Sequence, residues 1–388
     1  MSRTPIFIGS SDNHLAPHIW IRRPDIAGDS YFGFEQLVDA CLELGTDLLL
    51  PGDVFDKTRP DPATIAFARQ QLCRLAAAGL DIFYIQGQHE FDAVTPWLSA
   101  ISDHVEYIDR KLVGARGINL YGLDWRYRGE INQELAKVPH SCDILLAHQM
   151  WTDFVGRFSE GECRFSEVPH ARMMTTGDYH RTIAIESACA DGSIMQVLSS
   201  GSTHIRSIDE PADKYCFVIY DDLSWDARPL KSRAVGRYRA SDSKRLDELC
   251  ENWDKKRSAL FSASAALPPN LMKPIICIEY DSEIPEAAAR IANLVGTDAH
   301  LFAVPIRRSL RELPVASARH QASGQTIESC LSSVVPHDSP AHSNLLTLLG
   351  SRDPAARISD LHDSYVNEKL RGFNGFQSNL HCAECEAE

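Results

Sequence analysis

Six short polar clusters follow one another along the chain: Asp12-Asn13-His14, Gly52-Asp53-Val54-Phe55-Asp56, Gly87-Gln88-His89-Glu90, an isolated His148, Gly177-Asp178-Tyr179-His180 and Gly201-Ser202-Thr203-His204. Each of the first five comes directly after a short apolar run with strand character: Pro5 to Ile8, Leu48 to Leu50, Ile82 to Ile85, Ile144 to Leu146 and Met173 to Met174. In sheet-based α/β folds ligands gather beyond the carboxyl ends of the strands, so this regularity draws residues far apart in sequence to one rim. Mixed carboxylates, imidazoles and amides at one rim suit a divalent cation of intermediate hardness, because carboxylates neutralise charge while imidazole favours Mn, Fe or Zn over Ca. A single histidine of this kind reads equally as a hydrogen-bonded, half-buried ring. It is the ordered set of clusters that points to a metal site.

In this order the motifs D-x-H, G-D-x-x-D, G-N-H-[DE], H and G-H-x-H resemble the calcineurin-like metallophosphoesterases. Within that superfamily Asp12-Asn13-His14, Gly52-Asp53-Val54-Phe55-Asp56 and Ser200-Gly201-Ser202 look most like the SbcD-type DNA repair nucleases, phage versions included. The likeness covers residues 1 to 225 well and the remainder in outline. It implies an α/β fold: a two-sheet metallophosphoesterase sandwich flanked by helices over 1–228, a small α/β capping domain over 229–343 that orients DNA, and C-terminal docking helices with an acidic tail over 344–388.

The resemblance also implies a chemistry. Phosphodiester hydrolysis needs an in-line hydroxide, charge neutralisation on the phosphate and stabilisation of the leaving alkoxide, and two metals about 3.5 to 4 Å apart meet all three needs when one anionic ligand bridges them. By resemblance Asp53 is the bridge, Asp12, His14 and His180 complete the first site, and Gln88, His148 and Asp178 the second. The expected ions are two divalent metals, Mn²⁺ with Mg²⁺ as the alternative. His89 is expected to face the substrate and assist the leaving group, with Glu90 placed to orient it. Asp56 is expected to hold a ligand imidazole by its other nitrogen. His204 and Arg206 either reach the phosphate or cap the structure.

The chain departs from the family pattern twice, both times at the second metal. Position 88 is Gln where the pattern has Asn, so the carbonyl reaches the metal only if the turn gives way. Position 178 is Asp where the pattern has His, which raises the ligand carboxylates from two to three and hardens the site. The implied activity is a metal-dependent DNA exonuclease and endonuclease, working as a homodimer with an SMC-like ATPase of the SbcC type. Two other functions remain open: a stand-alone phosphodiesterase or phosphatase acting on nucleotides, and a DNA-end-binding scaffold weakened in catalysis by Gln88 and Asp178.

Composition bounds these readings. A chain of 388 residues fits two domains and a tail. It contains no apolar run long enough to span a membrane, and its start enters a strand without a charged-then-apolar leader, so a soluble, cytoplasmic protein is expected. Most of the eleven cysteines are scattered singly, as apolar fillers in a reducing compartment are. Cys382 and Cys385 form a C-x-x-C that is either half of a zinc site or an acidic tail without one. The net charge of -14 argues against nucleic-acid binding by bulk electrostatics but not against a nuclease, since carboxylates that hold metals contribute to that count and a partner can supply a basic surface. Arg228, Lys231, Arg233, Arg237 and Arg239 surround Tyr238, and Arg307 and Arg308 follow a later strand. They make either a solvated edge strand or a phosphate-contacting ridge.

Helical stretches run from Gly33 to Gly45 and from Pro62 to Gly79, each closing at a glycine. After Pro229, Ser241 to Ser262 reads as one amphipathic helix, broken by Pro268-Pro269. A strand from Pro274 to Tyr280, a helix from Glu286 to Leu294 and a strand from Leu301 to Ile306 then form a compact unit. Ser309 to Ser343 reads as loop and short helix. Asn344 to Leu370 reads as two amphipathic helices that either dock on the ATPase or pack on their own domain.

Overall fold

The computed structural model describes residues 3–20, 23–91, 98–155 and 161–306. Two six-stranded sheets form the main body. The first has the order β14 (Trp225–Leu230), β13 (Lys214–Tyr220), β1 (Pro5–Gly9), β4 (Asp47–Pro51), β5 (Ile82–Ile85) and β6 (Val105–Tyr107). The second has the order β11 (Ile183–Ala188), β12 (Ile194–Ser199), β10 (Met173–Gly177), β9 (Ile144–His148), β8 (Ile118–Leu123) and β7 (Leu112–Ala115). In each sheet four strands run parallel, β1-β4-β5-β6 and β12-β10-β9-β8, while β13 and β14 of the first sheet and β11 and β7 of the second pair antiparallel. The central strands β4, β5, β9 and β10 are buried along their whole length, as parallel strands covered on both faces must be.

The period-2 alternation of these strands makes the sandwich. Leu49, Phe83 and Ile85 point inward from the first sheet and share one core with Ile144, Leu146 and Met173 of the second. Leu48 and Leu50 point the other way, against Phe34, Leu37, Leu72 and Leu75 of α1 (Asp29–Leu44) and α2 (Pro62–Ala77). Leu145 and Met174 likewise face an outer cluster with Ile131 and Leu135 of α3 (Arg128–Leu135), beside Trp151 just before the short α4 (Thr152–Val155). Helix α1 ends at Gly45 with φ 67°. Helix α2 starts on Asp61, whose carboxylate accepts from the amides of Ala63 and Thr64 and so satisfies two donors of the first turn.

A ribbon of β2 (His18–Trp20) and β3 (Arg23–Ala27) and a smaller all-parallel sheet, β15 (Val235–Ala240), β16 (Ile275–Tyr280) and β17 (His300–Pro305), complete the described part. Ile276 and Ile278 pack there with Leu246, Trp253 and Ile291 of α5 (Ser243–Glu251), α6 (Trp253–Ser264) and α7 (Ala287–Val295). The single helix expected over Ser241 to Ser262 is therefore two. Asn252, at φ -97° and ψ 8°, caps the first and starts the second, and Trp253 turns into the core directly after it.

The basic run also needs a correction. Arg233 is neither solvated nor available to a phosphate. It is 1% exposed, its Nε and Nη2 each lie 2.8 Å from one oxygen of Asp29, and it donates to the carbonyls of Lys273 and Asn270. Arg228 pairs with Glu43, and Arg237 donates to the carbonyls of Ile208 and Glu210. Arg307, Arg308, Ser309 to Ser343, Asn344 to Leu370 and the Cys382/Cys385 pair lie outside the described residues. Among the described residues no helix is long and apolar enough to cross a membrane.

Candidate metal centre

The clusters after β1, β4 and β10 share an unusual backbone. Asp12 (φ 53°), His14 (φ 42°), Asp53 (φ 53°), Asp178 (φ 83°) and His180 (φ 54°) all have positive φ, a region that non-glycine residues enter rarely and at a cost of roughly 1–3 kcal/mol each. Such conformations turn the chain sharply at a strand end and aim successive side chains at one point. Two glycines allow the turns to approach each other. A Cβ on Gly52 would stand 2.3 Å from His148 Nδ1, and one on Gly87 would stand 2.1 Å from Asp53 Oδ1.

The side chains converge around Asp53. Its Oδ1 accepts from the His89 amide at 3.0 Å, while Oδ2 lies 3.5 Å from His14 Nε2 and 3.4 Å from His148 Nε2. On the first side, Asp12 Oδ1 is 3.8 Å from His14 Nε2 and 3.5 Å from His180 Nε2, and the two ring nitrogens are 3.1 Å apart. On the second side, His148 Nδ1 donates to the Pro51 carbonyl at 2.8 Å, which leaves Nε2 facing Asp53. Asp53 Oδ2, His148 Nε2 and Gln88 Oε1 are all buried without a hydrogen-bond partner. Three buried polar atoms without a partner are costly as they stand, and a divalent cation, which takes the place of a positive charge beside Asp53, is the partner that satisfies such a set. The donor set therefore fits a metal centre.

Asp12, His14 and His180 offer ligand atoms within 4.8 Å of one another, as do Asp12, Asp53 and His148, and also His14, Asp56 and His89. Asp178 stands outside these groups. Its amide donates to Asp12 Oδ1 and Oδ2 at 3.0 and 3.2 Å, and its carboxylate accepts from Gln88 Nε2 at 2.6 Å. His89 Nδ1 meets the Asp56 carbonyl at 3.2 Å, and its ring stands edge-on to His14 with centroids 4.8 Å apart. Asp56 Oδ1 lies 3.6 Å from His14 Nδ1 and 2.5 Å from Arg206 Nη2. Arg206 Nη1 is 2.8 Å from His14 Nε2, so this guanidinium lies at the mouth of the site.

Glu90 does not orient His89. Neighbours on a turn point apart, and the Glu90 carboxylate instead accepts from the amides of Val54 (3.1 Å) and Phe55 (2.8 Å), bracing the loop that carries Asp53. Burial, and after it Asp53, pushes the Glu90 carboxyl up to about 8. His204 is buried, and burial followed by Arg206 presses its ring down to about 3. His14 is held well below the usual imidazole value by burial and then by Arg206. Burial opposes charge on His148, but Asp53 and Asp12 outweigh it and hold that ring well above the usual value.

Sequence reasoning missed Glu210. Its Oε1 meets His180 Nδ1 at 3.1 Å, while Oε2 accepts from Ser202 Oγ (2.7 Å), Lys214 Nζ (2.9 Å) and the Arg206 amide (3.1 Å). Burial works against its charge, yet His180 and Lys214 hold the carboxyl far below the usual range. A carboxylate on Nδ1 fixes a ring with Nε2 free for a cation and raises its basicity. Nothing in the local sequence marks this role, because Glu-x-x-x-Lys most often reads as an exposed pair on a helix.

No family model matches the chain. It is 26% identical over 258 residues to the DNA double-strand break repair protein Mre11 of Methanosarcina mazei, a stretch covering 61% of this chain and 39% of that protein. To the Mre11 of Methanosarcina acetivorans it is 25% identical over 257 residues, with the same coverages. To the metallophosphoesterase YhaO of Bacillus subtilis, described as uncharacterized, it is 22% identical over 231 residues, covering 55% of each chain. The chain thus spans between about two fifths and just over half of the curated relatives it matches. A solved structure described as a novel archaeal phosphodiesterase overlays 58% of this chain and 99% of its own, with a TM-score of 0.32 and 10% identity. With the motif order and these sequence relatives in agreement, the chain is related to the calcineurin-like metallophosphoesterases, and Mre11 DNA repair proteins are among its relatives.

Proposed function

We propose that this chain hydrolyses phosphodiester bonds in DNA with the help of two divalent cations, Mn²⁺ first and Mg²⁺ second. The observation that carries the reading is Asp53 Oδ2, an unpartnered buried oxygen within 3.5 Å of both His14 Nε2 and His148 Nε2, where a shared ligand has to be. Asp12, His14, His180 and Asp53 would hold one cation, and Asp53, His148 and Gln88 the other. When bound, the pair supplies charge neutralisation at the phosphate and lowers the pKa of water to the range where it attacks.

The protein's own share is positional. The Pro51 carbonyl and the Glu210 carboxylate fix the rings of His148 and His180 with Nε2 toward the centre. The Asp56 carbonyl holds the His89 ring through Nδ1, and we assign that imidazole to assisting the leaving group. DNA as the substrate is favoured by the repair function in the names of the Mre11 relatives. To the same reading we assign residues 229–343 as a capping domain, a homodimer, and an SMC-like ATPase of the SbcC type bound through the apolar positions of Asn344 to Leu370.

The test is degradation of linear DNA by the purified protein with Mn²⁺, abolished by EDTA. Asp53→Ala should remove both metal binding and activity, whereas His89→Ala should keep the metals and lose about 10²–10⁴-fold in rate. Cleavage of nucleotides with no cleavage of DNA would replace the proposed substrate. Unchanged Mn²⁺ binding in Asp53→Ala would end the two-metal reading. Truncation before Asn344 should leave the nuclease intact and abolish co-purification with the ATPase, and full-yield co-purification would refute that assignment.

A further inference from the structure

We infer that Asp178 is a positioning residue rather than a metal ligand, and that it acts through Gln88: by accepting from the Gln88 amide nitrogen it turns the Gln88 carbonyl onto the second cation. The inference rests on the two-metal reading of the site. It begins with the Gln88 side chain, a flat amide with its donor and acceptor on opposite edges. The donor edge is fixed, since Nε2 lies 2.6 Å from Asp178 Oδ1. The acceptor edge must then face away from Asp178, and Oε1 is buried with no hydrogen-bond partner, as are His148 Nε2 and Asp53 Oδ2.

The Asp178 carboxylate falls outside the groups in which Asp12, Asp53 and His148 bring their ligand atoms within 4.8 Å of one another. Its main chain is not free to close the difference. The Asp178 amide is bound to both oxygens of Asp12, and the residue is already at φ 83°. A side chain with one carbon between Cα and carboxylate stops short here. The neighbouring amide is one methylene longer than an Asn and carries a buried oxygen without a partner. The two departures from the metallophosphoesterase pattern thus compensate each other, one side chain shorter and the other longer. The protein holds the second cation by a neutral carbonyl whose direction depends on a carboxylate behind it.

A cycle of four variants tests this by titration calorimetry with Mn²⁺ alone, with folding checked by circular dichroism. Asp178→Asn and Asp178→Ala both remove the charge, but only Asn keeps an oxygen that can accept from Gln88 Nε2. With Gln88 present, Asp178→Ala should weaken the second Mn²⁺ at least about tenfold more than Asp178→Asn does. With Gln88→Ala in the background, where nothing remains to be positioned, the Asn–Ala difference should shrink at least about tenfold, to what the backbone preference at φ 83° alone leaves. Charge loss and backbone preference cancel in this comparison. Equal affinities of Asp178→Asn and Asp178→Ala with Gln88 present would overturn the inference. So would an Asn–Ala difference equally large without Gln88, because position 178 would then act through its own backbone or on the metal rather than through Gln88. A wild-type chain that binds fewer than two Mn²⁺ would instead refute the two-metal reading, a separate outcome read from stoichiometry before any variant is compared.

Discussion

Replacing Glu210 by Gln changes no atom that touches substrate, yet it should weaken the first Mn²⁺. The carboxylate offers one oxygen to His180 Nδ1 and the other to three donors, Ser202 Oγ, Lys214 Nζ and the Arg206 amide. A glutamine has one oxygen only. Placed toward the three donors, where it satisfies most, it brings its NH₂ against His180 Nδ1, which lies 3.1 Å from the present oxygen. Two donors cannot face each other, so the ring adopts the other tautomer, with the proton on Nε2 where a cation needs a lone pair. Second-layer partners of this kind are worth about 10–100-fold in metal affinity, or about 1.4–2.7 kcal/mol. The fold loses stability as well, because Lys214 is 3% exposed and keeps no anion, and breaking a buried pair costs about 3–5 kcal/mol. Titration calorimetry with Mn²⁺ reads the first effect and urea denaturation the second. The double variant Glu210→Gln/Lys214→Met should recover much of the stability and none of the affinity. Mn²⁺ affinity within about twofold of wild type in Glu210→Gln would refute the tautomer mechanism, because the smallest expected loss is about tenfold.

Gly87→Ala should abolish Mn²⁺ binding, since its Cβ would meet Asp53 Oδ1 at 2.1 Å, while Gly45→Ala, with open space but φ 67°, should cost only about 1 kcal/mol and leave the metals in place; calorimetry on both variants distinguishes the cases. Asp29→Ala should destabilise the fold by about 3–5 kcal/mol in urea denaturation, because it strands the buried Arg233 guanidinium. A loss below about 1 kcal/mol would mean that the carbonyls of Lys273, Asn270 and Ala27 suffice to hold that charge. Burial, and after it Asp109, pushes the Asp124 carboxyl up to about 7 from an ordinary 3.8. The folded state then binds this proton more tightly than the unfolded chain, so the contribution of Asp124 is fully present below about pH 4 and is lost as pH rises through about 7. Asp124→Asn should flatten that fall in thermal midpoints measured from pH 4 to pH 8, and an equally steep fall in the variant would assign the effect elsewhere.

The strands that carry the site were legible because each is a short apolar run cut off by polar residues, and the cut is where the ligands stand. Asp47–Pro51 and Ile144–His148 extend the runs read from sequence by only a residue or two. The break at Asn252 was not legible, since polar residues with helical spacing continue through it. What separates α5 from α6 is the burial of Trp253, a tertiary fact. Arg233 reads as surface charge among its neighbours Lys231 and Arg237. Its partner Asp29 lies 204 positions earlier, and a single sequence carries no sign of the pair. Glu90 and Glu210 were misread or missed for a related reason: which backbone amide or ring a carboxylate braces depends on how loops from different strands meet. Proximity along the chain suggested His89 for Glu90, and nothing suggested His180 for Glu210.

The positive-φ backbone at Asp12, His14, Asp53, Asp178 and His180 has a practical consequence for anyone dissecting this centre. Alanine is a poor probe at these positions, because it deletes a side chain and also replaces a residue that tolerates the left-handed region by one that resists it. Any loss of function then mixes missing ligands with a loop that has relaxed. Asparagine is the cleaner instrument at the three aspartates: nearly the same shape, among the side chains most at ease with positive φ, and without the charge. A discrepancy between the Asn and Ala variants at Asp12 or Asp53 would therefore measure how much of the metal affinity resides in the curvature of the main chain.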